Sequence, residues 1–155
     1  MLPASAARDA MTRALDTLFV LSRVNLNVNN PTSFVTAFEL LVRASSILDL
    51  VPVDRHSDDD PIDMANYTRC VSGAFYNLAG TLYQASRFGS AVPFLVESCT
   101  LGQKALQLPR VAQEVPNETR EKEWTQLEEQ LFRRWELLAV CYSKNGDRKV
   151  CCDRI

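Results

Sequence analysis

The stretches Phe75-Tyr-Asn-Leu-Ala-Gly-Thr-Leu82 and Trp135-Glu-Leu-Leu-Ala-Val-Cys-Tyr142 decide how this chain is read. Each places a bulky side chain first, Leu beside Ala three and four residues on, and a second bulky residue at seven. Spacings of three, four and seven bring those side chains onto one face of an α-helix. The small Ala79 and Ala139 let a second helix approach closely. A turn follows each stretch: Ser86-Arg-Phe-Gly-Ser90 after the first and Asn145-Gly-Asp147 after the second. The second turn has the form of a glycine that closes a helix.

Working outward, the first stretch lies in a helix predicted over 62–86. A partner helix follows over 90–108, with Ala91, Val92, Leu95, Val96, Cys99, Leu106 and Leu108 inward. Towards the N-terminus, Met11, Leu15, Leu18, Phe19, Leu21, Val24 and Val28 mark a helix over 5–28. Asn29-Asn-Pro31 breaks it, because proline biases the residue before it away from the helical region. A helix over 32–50 then turns Phe34, Ala37, Phe38, Leu41, Ala44, Ile47 and Leu48 inward. The second stretch lies in a helix over 117–144. Its Glu121, Lys122, Glu123, Glu128, Glu129, Arg133 and Arg134 read as a solvated face. Residues 148–155 look like the first turns of another helix, and the proline-flanked segments 51–60 and 109–120 are expected to be mobile loops. No strand candidate survives. The expectation is an all-α chain of about five helices, stacked as antiparallel hairpins in a single domain over 1–155.

Composition narrows the function. Of 155 residues, 46% are apolar and 23% charged, which excludes a wholly disordered chain. The formal net charge of -2 gives no electrostatic footprint for nucleic acid or an anionic membrane. No apolar run approaches the roughly 18 residues that span a bilayer. Five cysteines with no CxxC pairing form neither a disulfide framework nor a zinc site. Cys70, Cys99 and Cys141 fall in apolar segments and read as small core residues of a reduced, intracellular protein. The single histidine, His56, sits among Asp58, Asp59 and Asp60, a charged turn without the alternating ligands and glycine of a calcium loop. Phosphate-cradling glycine motifs are absent. No catalytic residue, cofactor or metal is expected in this segment.

The shared spacing resembles the tetratricopeptide repeat (TPR), a helical hairpin of about 34 residues. The second-helix pattern recurs as Phe34-x2-Ala37-x3-Leu41-x2-Ala44 and Phe88-x2-Ala91-x3-Leu95-x2-Ser98. The two better units lie 60 residues apart, and the fourth helix runs past Gln103 without the usual proline. The resemblance is therefore to a degenerate, TPR-like α-solenoid. Stacked hairpins need a neighbour at each end, so a last unit whose second helix has barely begun at Ile155 predicts a piece of a longer solenoid.

In that register the inner face carries Gly73, Tyr76, Gly80 and Tyr83 in one unit. Arg133, Glu136, Val140 and Ser143 take the matching positions in the other. Tyr76, Gly80, Tyr83, Arg133, Glu136 and Ser143 are the candidate partner-binding residues: tyrosines flanking a small residue suit an extended peptide. The alternative is that the tyrosines cover the neighbouring helix.

Residues 69–83 with 91–99, and the run Gln126-Leu-Glu-Glu-Gln-Leu-Phe-Arg-Arg-Trp through Gly146-Asp147, resemble the N-terminal helical region of separase, most closely its fungal members. Separase is the cysteine endopeptidase that cleaves the cohesin kleisin at anaphase and is held inactive by securin. None of its catalytic positions is matched here. The resemblance implies a non-catalytic segment that supports the protease and contributes to securin binding, in cytoplasm and nucleus. A free-standing TPR adaptor for peptide segments is the alternative.

Overall fold

In a computed structural model, residues 4–50, 64–108 and 117–145 are described. They form five helices: α1 (Ala4–Asn25), α2 (Pro31–Asp49), α3 (Met64–Gln84), α4 (Phe88–Gln107) and α5 (Asn117–Lys144). No strand occurs among the described residues. The 51–60 loop, the Gly146 turn, the 148–155 helix and His56 all lie outside them, as do residues 109–116 of the second loop. Residues 117–120, which fall within both the expected loop and the expected fifth helix, are the first turn of α5.

The α1–α2 corner shows how local chemistry sets the boundaries. α1 stops at Asn25, three residues before the predicted end. The Asn27 amide donates to Ser33 Oγ (2.9 Å) and the Asn29 amide to Asn27 Oδ1 (3.0 Å), bonds that compete with further helix. Asn30 then caps α2 from an extended backbone, its side chain accepting from the Thr32 amide, with Pro31 opening the first turn. The α3–α4 corner is tighter. The Arg87 amide donates to the Leu82 carbonyl and the Ser86 amide to the Tyr83 carbonyl, a Schellman closure with Ser86 at φ 62°. The reversal is complete by Arg87, so α4 starts at Phe88, and Gly89 lies inside the helix rather than in the turn.

Successive helices pack on one another. α2 packs on α1 and α3, and α4 packs on α3 and α5, the α3–α4 interface being the most extensive. The main core runs from Met11 and Leu15 of α1, through Leu41, Phe75 and Leu95, to Leu138 and Cys141 of α5. At its centre Phe38, Phe75 and Phe94 meet edge to face, with centroids 5.3 to 6.3 Å apart. Such ring pairs add about 0.5–1.5 kcal/mol each beyond their buried area. A second cluster of Ala65, Ala105, Trp124, Leu127 and Leu131 seals the first half of α5 against the start of α3 and the end of α4.

Three sequence expectations need correction. Leu21 and Val24 are exposed, Val24 by 77%, because the inward stripe of α1 passes through Leu18, Phe19 and Ser22 instead. Cys70 is exposed, whereas Cys99 and Cys141 are buried as expected. Arg134 is not part of a solvated face: it is only 4% exposed. Glu121, Lys122, Glu123, Glu128, Glu129 and Arg133 are exposed. No helix among the described residues is long and apolar enough to cross a membrane.

Candidate functional site

α3 holds the centre of the site. Its buried stripe (Val71, Ser72, Phe75, Ala79, Leu82) packs towards α2 and α4, which leaves Cys70, Gly73 and Asn77 on the opposite face. A groove of about 640 Å³ runs between that face and α1, lined by Asp16, Phe19, Val20 and Arg23 from α1. A smaller cavity of about 180 Å³ lies between α3 and α5, with Glu123, Gln126, Gln130 and Arg134 opposite Arg69, Cys70 and Gly73. The two share Cys70 and Gly73, so they meet on α3. A Cβ built at Gly73 or Gly80 would touch nothing within 4 Å, so both glycines open onto free space.

Arg134 is the residue that sequence reasoning missed. Ser72 Oγ donates to the Ser98 carbonyl (2.6 Å) and Ser98 Oγ donates to the Ser72 carbonyl (2.9 Å), a reciprocal pair across the α3–α4 interface. Arg134 Nη1 donates to both hydroxyls, at 2.7 and 3.1 Å. Nη2 donates to Gln130 Oε1 at 3.3 Å. The guanidinium lies 4.7 Å from the centroid of the Tyr76 ring, within cation–π range. No ion pair to a carboxylate reaches it among the described residues, and its buried Nε–H has no hydrogen-bond partner. Burial pushes the Arg134 pKa down and raises that of the neighbouring Cys99 thiol to about 11, since both charged forms lose hydration. A faint signal was present: two serines, 26 residues apart, each sit in an otherwise apolar stripe.

The sequence candidates fall into two groups. Tyr76, Gly80 and Tyr83 lie together on α3, but the tyrosines are engaged. Tyr76 takes the Arg134 guanidinium, and Tyr83 meets Phe88 edge to face at 5.3 Å with Lys144 Nζ at the same distance from its ring. On α5, Arg133, Glu136 and Ser143 are exposed and line neither the groove nor the cavity. The α5 face turned to α3 runs one residue later, through Arg134, Leu137, Cys141 and Lys144. A single-residue offset rotates a helix by about 100°, so repeat-based alignment alone does not fix this face.

Among the described residues no group of three His, Cys, Asp or Glu side chains converges to hold a metal ion. Comparison of the chain with protein-family models, with curated proteins and with solved structures finds no match.

Proposed function

We propose that this chain is a non-catalytic, TPR-like helical scaffold that holds an extended peptide segment of a partner protein along α3, between α1 and α5. The observation that carries the reading is the pairing of groove and cavity on successive odd-numbered helices, which meet over Gly73. In hairpin terms α1–α2 and α3–α4 are two units and α5 opens a third. The lining suits main-chain recognition. The amides of Asn77, Gln126 and Gln130 each offer a donor and an acceptor, as a peptide backbone requires. Apolar Phe19, Val20 and Leu127 supply side-chain contacts, and the side-chain-free Gly73 admits a strand close to the helix.

The resemblance of 69–99 and 126–147 to the helical region of separase gives this reading a setting. In it, the segment supports the protease that cleaves the cohesin kleisin, and the partner peptide is an internal, disordered part of securin. Gly73→Phe tests the site, because a Cβ at this position meets nothing within 4 Å and the ring it carries would occupy the groove. Fluorescence anisotropy with a labelled securin segment should show binding that this variant weakens at least tenfold, with its helical circular dichroism unchanged. Equal binding by the variant, or none by either chain, defeats the proposal. Binding only to peptides with a free C-terminal carboxylate would favour the adaptor reading.

A further inference from the structure

We infer that the cavity between α3 and α5 is an anion site, built to receive an internal Asp or Glu side chain of the bound peptide on the buried guanidinium of Arg134. The inference rests on the peptide-groove reading and adds the chemistry of one anchor residue.

Arg134 spends its donors unevenly. Nη1 serves the Ser72 and Ser98 hydroxyls, while the other edge, Nε–H and Nη2, holds only a long 3.3 Å contact to the exposed Gln130. That edge is a two-pronged fork matching the two oxygens of a carboxylate, its Nε–H closed to solvent in the unbound chain. A charge this deeply buried is ordinarily matched by an opposite charge, because desolvation otherwise disfavours it strongly. Among the described residues its surroundings are instead neutral oxygens, the Cys99 thiol and a tyrosine ring. Arg134 lines the cavity directly, and a second cation, the half-buried Arg69, lines the same space with its Nη2 on Asn66 Oδ1 at 2.7 Å. Among the described residues Glu123 is the one carboxylate on the lining. It is exposed, and no ion pair links it to either arginine. A volume of about 180 Å³ accommodates a carboxymethyl or carboxyethyl group but not a folded element.

The test is selection of a randomised twelve-residue phage library on the intact chain, with peptides fused at their C-termini so that no terminal carboxylate is free. Selected sequences, made synthetically and blocked at both ends, should carry Asp or Glu at one fixed position. Changing it to Asn or Gln should weaken binding at least tenfold. Arg134→Lys should remove that preference. Because Arg134 also ties α3 to α4 and its variants can lose the fold, Arg69→Gln provides the independent arm, with an expected three- to tenfold loss for acidic peptides only. Peptides that bind without an acidic residue, or acidic ones indifferent to Asn or Gln, overturn the anion site while leaving the groove reading intact. A library that yields no binder removes both.

Discussion

At the scale of single residues, the Ser72–Ser98–Arg134 set carries the most consequence, because polar side chains from three helices hydrogen-bond one another inside an apolar interface. Ser72→Ala deletes the hydroxyl that donates to the Ser98 carbonyl and accepts from Arg134 Nη1. Its expected cost is about 1–3 kcal/mol in urea unfolding, the penalty of leaving buried partners unmet. With Ser98→Ala added, Arg134 Nη1 loses its second acceptor, so the double variant should lose more than the sum of the singles, by at least about 0.5 kcal/mol. Simple additivity would show that the serines do not act as a unit. The neighbouring Cys99 provides a pH signature. Its folded thiol titrates near 11 against 9.0 for an ordinary one, so above pH 9 the unfolded chain releases this proton first. Stability is therefore intact below pH 9 and falls between 9 and 11, by on the order of 2 kcal/mol. Cys99→Ala should reduce that alkaline loss, and the buried Cys141, whose thiol burial also pushes up, accounts for part of what remains. In the native state at pH 8, thiol reagents should modify the exposed Cys70 while sparing Cys99 and Cys141.

Helices and their joints were the part most legible in the sequence. The stripe of α2 (Phe34, Ala37, Leu41, Ala44, Leu48) is buried as periodicity requires, and the Asn30-Pro31 break falls where proline chemistry places it. The misreadings share one cause: periodicity finds a face but does not say what that face meets. Arg134 stands beside Arg133 in a charged helix, and only serines 36 and 62 residues away make its burial tolerable. Leu21 and Val24 look apolar in sequence but lie off the inward stripe of α1, which passes through Leu18, Phe19 and Ser22. Ser86 at the α3–α4 joint and Gly102 inside α4 give two predictions of opposite sign. Ser86 occupies the left-handed region at φ 62°, where a Cβ costs about 1–2 kcal/mol. Ser86→Gly relieves that strain and should raise stability by about 1 kcal/mol, read as a higher urea midpoint with unchanged slope. Gly102→Ala should do the reverse. Its Cβ would crowd the Leu131 Cδ2 methyl and Ser72 Oγ, so the buried Leu131 or α5 itself must shift, at an expected cost of about 1–3 kcal/mol. A neutral outcome would mean that the buried Leu131 side chain repacks freely.

For the whole molecule, the division of the core into two clusters couples stability to the proposed site. The second half of α5 is anchored in the main core by Leu138, Cys141 and Tyr142, while the first half is held by Trp124, Leu127 and Leu131. Of the α5 residues on the cavity wall, Glu123, Gln126, Leu127 and Gln130 belong to that first half and Arg134 to the second. Trp124 is 7% exposed and is the largest member of the smaller cluster, so Trp124→Ala removes much of what holds this wall. A fully buried Trp→Ala change costs about 3–5 kcal/mol when the whole domain feels it. Here the smaller cluster can open while the main core stays closed, since no residue of α1 or α2 belongs to it. Hydrogen exchange should therefore accelerate over 121–131 in the variant, with 135–144 still protected. The half-buried Trp135, beyond the opened half, should keep its native fluorescence until global unfolding. Peptide affinity should fall along with the protection of 121–131, because the cavity wall is then ordered only part of the time. Equal acceleration along all of α5 would instead show that the helix docks as a single cooperative unit, and the wall could not move without the core.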